Sequence, residues 1–126
     1  MNARATLFAG ALAGFFTVVL GAFGAHALAG QLPAFRMEVW EKAVHYQGLH
    51  ALALLATALL QRQAPAPGLR RAALAFTLGI LLFSGSLYLL ALSGQRWLGA
   101  VTPFGGTAFV AGWLLLAWTA WREAPA

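Results

Sequence analysis

Cysteine is absent from the 126 residues, and so is aspartate. Without cysteine there is neither a disulfide framework nor a thiolate metal site. Acidic side chains number three, and with eight Lys and Arg they make charged residues only 9% of the chain. A soluble globular domain carries about a quarter charged residues, so composition excludes that class. The three acids, Glu38, Glu41 and Glu123, stand outside the long apolar runs, so no carboxylate sits where a buried acid–base pair or a zinc site needs one. Ser84 and Ser86 lack a nucleophile-elbow context, and the GxxxG-like spacings lack the strand–loop–lysine context of a phosphate loop. No catalytic residue, metal ligand or cofactor is assigned, and the reading is non-enzymatic.

What remains is 61% hydrophobic, with a mean hydropathy of +0.76. The net charge of +5 comes from Lys and Arg scattered between apolar runs, with only Arg70 and Arg71 adjacent. Charges in that position set membrane topology and meet lipid head groups, which excludes nucleic acid as a partner. At this length the chain is one membrane domain, 1–126, too small for an added catalytic module.

About 20 apolar residues span a bilayer as a helix, and four such segments appear, at about 5–27, 42–61, 71–92 and 103–121. The first run carries Gly10 and Gly14, and Ala13, Thr17, Gly21 and Ala25, at helical spacing of four. Small side chains so placed let helices approach closely in lipid. The run is about twice the length of a signal-peptide core, so it reads as a span and not a cleaved leader. Gly30–Phe35 connects to a helix restarting over Arg36–Lys42, and Ala64–Gly68, with Pro65 and Pro67, reads as a rigid loop. Ser93–Val101 is a further loop, Thr102-Pro103 opens the fourth helix, and Arg122–Ala126 is too short to fold. Arg4, Arg62, Arg70, Arg71 and Arg122 lie on the side of the termini, against Arg36, Lys42 and Arg96 opposite. That bias predicts both termini in the cytoplasm.

This topology gathers the polar residues toward the outer half: His26, then His45, Tyr46, Gln47 and His50, then Ser84, Ser86 and Tyr88, then Thr102 and Thr107. The inner half reads as nearly all apolar, with Leu7, Leu12, Leu55, Leu59, Leu74, Phe76, Leu115 and Leu116. Polar groups inside a bilayer are expensive and raise a functional question. At about 100° per residue, Gln47 and Tyr46 each share a face with His50, whereas His45 points about 140° away. His50 lies about 10 Å deeper than Ala43. Expected partners for His50 across the bundle are Ser84, Ser86 and Tyr88. His26 is expected to close the last carbonyls of its own helix.

The strings GAFGAHAL (Gly21–Leu28), Tyr46-Gln47 with His50, LFSGSLYLLAL (Leu82–Leu92), TPFGG (Thr102–Gly106) and Gly112-Trp113 resemble the YgdD-like family of small inner-membrane proteins, which has a similar small transmembrane protein in eukaryotes. The resemblance covers nearly the whole chain. It implies an all-α polytopic membrane protein, a four-helix transmembrane bundle, and no particular activity. It also implies that His26, Gln47, His50, Ser84, Ser86 and Tyr88 belong to the family pattern, with His45 outside it.

Two functional readings follow. The first is a non-enzymatic accessory or interaction protein of the bacterial inner membrane, its partners the lipid bilayer and a second copy or membrane-complex subunit. The alternative is a small-ligand binding protein, for quinone, lipid head group or haem. Its pocket would use His50, Gln47, His26, Tyr46, Ser84, Ser86 and Tyr88. For haem, His26 and His50 would be the axial ligands, though no arginine lies in a span to meet the propionates.

Overall fold

The computed structural model describes residues 1–123; Ala124–Ala126, the end of the expected unstructured tail, lie outside them. Asn2 starts the first helix, its Oδ1 accepting the Ala5 amide at 2.8 Å and so pairing one of the four amides a helix start leaves free. This helix, α1 (Ala3–Leu28), is α-helical to Phe23 and closes with a π-helical turn over Gly24–Leu28. Gly30 then takes φ +82°, a left-handed conformation open to a residue without Cβ, and Pro33 leads into α2 (Ala34–Gln63). At 30 residues α2 is about 45 Å long, against the ~30 Å of a hydrocarbon core. Its first nine residues carry Arg36, Glu38, Glu41 and Lys42.

α3 (Pro67–Ser93) begins inside the stretch that reads as a loop. Pro67 occupies the first helical turn, where a missing N–H is no loss, so the proline that rules out helix continuation before it starts the helix after it. A second π-helical turn, Ile80–Ser84, lies within α3. The expected loop 93–101 holds a 3-10 turn, Arg96–Ala100, and α4 (Thr102–Glu123) follows with Pro103 in its first turn. Arg122 and Glu123 continue the helix and do not belong to a loose tail. Four helices are long and apolar enough to cross a membrane, and no strand occurs among the described residues. The protein is an all-α, four-helix transmembrane bundle.

α1 packs along α2, α3 along α4, and α2 joins the two pairs through α3. On the first seam Gly10 lies against Leu54 and Leu55, Thr17 against Gly48, Gly21 against Val44, and Gly24 against Trp40. Gly14 faces open space, so the Gly10–Gly14 spacing is not a packing pair. The second seam is reciprocal. Phe76 of α3 fits against Gly112 of α4, and Phe109 of α4 fits against Gly79 of α3.

Two apolar clusters result. One is Ala53, Leu54, Ala72, Ala73 and Phe76, with Leu115 and Leu116 on its edge. The other, nearer the α1–α2 connection, is Leu28, Trp40 and Ala91. Of the leucines expected to fill the inner half, Leu12, Leu59 and Leu74 point outward, as lipid-facing residues do. That half also buries Thr6, Thr57, Gln61 and Thr119. Thr6 and Thr57 escape the cost of burial by bonding the carbonyl four residues earlier, Asn2 at 2.8 Å and Ala53 at 2.8 Å.

Candidate functional site

His50 is 2% exposed and faces α4. Its Nδ1 lies 2.7 Å from the Tyr46 carbonyl, and its Nε2 lies 3.0 Å from the Trp113 indole nitrogen. A carbonyl only accepts and an indole N–H only donates, so the imidazole is the Nδ1–H tautomer with both nitrogens engaged. Phe109 stacks on the ring at 3.6 Å between centroids, and Phe76 and Trp113 stand at 5.6 and 5.9 Å. The Phe–Gly exchange between α3 and α4 builds this box, because Phe76 and Phe109 are the two rings it inserts.

Gln47, one turn outward, joins three helices. Its Nε2 donates to the Ala13 carbonyl of α1 at 2.9 Å, and its Oε1 accepts from the Tyr88 hydroxyl of α3 at 2.7 Å. Farther out, Ser84 donates to the Ala43 carbonyl at 2.7 Å, and Ser86 meets Thr102 of α4 at 2.6 Å. Trp40 donates to the Leu20 carbonyl at 3.0 Å and packs edge-on against Tyr88 at 4.7 Å. Arg36 closes the end of α3 by donating to the Ala91 and Leu92 carbonyls, each at 2.7 Å.

The polar groups therefore form a stair and not one level. Ser84 sits at the height of Ala43, and His50 is about 10 Å deeper by the helical rise. That offset is why His50 bonds neither Ser84, Ser86 nor Tyr88, and instead meets Trp113, a partner the sequence reading did not assign. Tyr46 contributes its carbonyl to His50 while its side chain is 38% exposed and lies against Phe83 at 4.8 Å. His26 is exposed on the π-helical turn of α1 and, among the described residues, makes no side-chain hydrogen bond to the last carbonyls of that helix. His50 is engaged toward α4, while His26 is exposed at the end of α1. Among the described residues no three His, Asp or Glu side chains converge.

Gln47 and Tyr88 do line an apolar cleft of about 380 Å³ between α1 and α3, with Leu12, Phe16, Ile80 and Leu81 among its walls. Its polar floor is the hydrogen-bonded Gln47–Tyr88 pair. Of the seven residues expected to share a pocket, these two line the cleft. His50, Ser84 and Ser86 are engaged between helices, and Tyr46 and His26 present their side chains to the outside.

The family described as "Protein of unknown function (DUF423)" matches residues 20–106. The UPF0382 membrane protein of Staphylococcus haemolyticus is 48% identical over 107 residues, covering 85% of this chain and 87% of the relative. The UPF0382 membrane protein YwdK of Bacillus subtilis is 42% identical over 108 residues, covering 85% and 88%. The UPF0382 inner membrane protein YgdD of Escherichia coli is 41% identical over 116 residues, covering 92% and 88%. No solved structure matches the chain. The resemblance carried by the GAFGAHAL and FSGSLY strings thus extends over most of the sequence, and the chain belongs to the DUF423 family of UPF0382 membrane proteins.

Proposed function

We propose that the protein is a non-enzymatic accessory or interaction protein of the inner membrane, whose buried polar residues hold its helices in register. The observation that carries this reading is the closure of the polar stair. Both polar atoms of His50 and of Gln47 are engaged inside the bundle, so neither side chain is left over for chemistry. Interhelical bonds of this kind average about 0.6 kcal/mol in a measured bundle and suit a fastening role. One apolar surface open to a partner is the outward face of α1, with Phe8, Phe15, Val18 and Phe23 exposed, and α2, α3 and α4 carry exposed apolar faces as well. A second copy or a subunit of a membrane complex would pack there by close van der Waals contact. The Lys and Arg distribution supports cytoplasmic termini, with Arg4, Arg62, Arg70, Arg71 and Arg122 on that side.

Purification followed by an absorbance scan and lipid-soluble extraction tests the reading. The expected protein is colourless and quinone-free, and His50→Leu loses stability without losing any bound molecule. A haem band or a quinone that disappears with His50→Leu overturns it.

A further inference from the structure

The π-helical turn within α3 opens a gap in its backbone bonding. In an α-helix the Leu81 carbonyl accepts from the N–H four residues on, which is that of Gly85. Here the Gly85 N–H turns instead to the carbonyls of Ile80 and Leu82. The wider spacing ends at Ser84, so beyond Gly85 the ladder resumes its usual step and the Leu81 carbonyl is passed over. The two hydroxyls nearby do not fill the gap, because Ser84 donates to Ala43 and Ser86 to Phe83. By the helical rise Leu81 stands about 15 Å from Arg71 and about 18 Å from Ser93, in the middle of the span. Lipid tails offer no donor there, and an unmet backbone group in hydrocarbon is costly.

The same place is a notch. A helical carbonyl points along the axis toward the residue four on, so the Leu81 carbonyl points at Gly85. A Cβ built on Gly85 would meet nothing within 4 Å, whereas Gly79 and Gly112 each seat a phenylalanine of the facing helix. Leu78, Leu81, Leu89 and Leu92 are exposed and follow one another through Gly85 at steps of three and four, which lays them along one ridge. The outward ridge of α3 is therefore apolar, with open backbone and an unmet acceptor at its centre. A second helix suits both features. Small residues let helix backbones approach closely in lipid, and the Cα–H groups of a close helix donate to carbonyls.

We propose that this face holds a second copy of the chain, in a parallel two-fold dimer whose α3 helices cross at Gly85. Copies inserted the same way share a two-fold axis along the bilayer normal, so equal residues meet at equal depth. Gly85 then lies against the partner's Gly85, and each Leu81 carbonyl accepts a Cα–H from the glycine opposite. Acceptor and donor stand on the same turn of one helix, as a self-complementary contact requires. Leu78, Leu81, Leu89 and Leu92 pack on either side of the crossing. The inference rests on the interaction reading above and names its partner, while the His50 tests decide that reading separately.

The chain has no cysteine, so single cysteines report the contact without background. In vesicles of phosphatidylethanolamine and phosphatidylglycerol, Leu89→Cys on α3 forms a disulfide between copies under a mild oxidant. Leu114→Cys, similarly exposed but on α4, does not. The cross-linked fraction at Leu89→Cys persists as the vesicles are diluted with further lipid. Gly85→Ile in the same chain fills the notch and lowers that fraction about tenfold, the scale of overpacking a close contact. Its thermal midpoint as a detergent-solubilised monomer does not fall, because the notch is open in the single chain. Equal cross-linking at the two cysteines marks random collision and overturns the proposal. A Gly85→Ile chain that cross-links like its parent also overturns it, as does a fraction that vanishes on dilution with lipid. Should Gly85→Ile fail to fold, the Leu89 and Leu114 pair under dilution decides alone.

Discussion

At the scale of single residues, the order of donors around His50 decides what its loss costs. The Trp113 N–H donates a hydrogen bond to Nε2 and the Nδ1–H donates one to the Tyr46 carbonyl, so removing the imidazole strands an indole N–H in an apolar setting. His50→Leu is therefore expected to destabilise by about 1–3 kcal/mol, the cost of a donor left unpaired. Trp113→Phe in the His50→Leu background should then add less than it does in the wild type. Thermal unfolding in detergent reads both. Helical angles in the sequence correctly put Gln47 and His50 on the inward side of α2, and Tyr88 opposite Gln47 was within reach of the same reasoning. Trp113 was not. Its pairing with His50 depends on how far α4 slides along α2, and that depth is set by Phe76 and Phe109 seating on glycines of the opposite helix. Gly112-Trp113 stood out in the sequence only as part of the family string.

At the scale of elements, the number and order of the helices follow from apolar run length, whereas their ends follow from local chemistry that hydropathy does not record. Pro67 begins α3 three residues before Arg70, and Asn2 begins α1 by capping. The π-helical turns are a further blind spot, because a strict 3.6-residue period carries straight through Gly24–Leu28 and Ile80–Ser84. His26 sits on the first of these turns and Ser84 ends the second. Small-residue spacing likewise marks where helices can touch without saying which glycine does so. A Cβ on Gly112 would stand 2.6 Å from the Phe76 ring, so Gly112→Ala should push Phe76 off its seat and destabilise by about 1–3 kcal/mol. Gly14 faces nothing within 4 Å, so Gly14→Ala should be neutral or stabilise by up to about 1 kcal/mol through helix propensity. Comparing the two thermal midpoints checks the packing seams directly.

At the scale of the whole molecule, α2 is the element around which the others are arranged. It meets α1 through Gly48 and Gln47, α3 through Gln47 and the carbonyl of Ala43, and α4 through His50. The orientation of this assembly in the membrane is checked by reporter fusion. Alkaline phosphatase placed within 94–99 should be active and placed after the C-terminus inactive, and the reverse pattern inverts the bundle. Fastening between helices by the polar stair is tested most directly by a double-mutant cycle on Gln47→Leu and Tyr88→Phe, read by reversible unfolding in bilayers. Each single variant should lose stability, and the double should lose less than their sum, by about 0.6–1.7 kcal/mol. Strictly additive losses, or single variants as stable as the wild type, would contradict it.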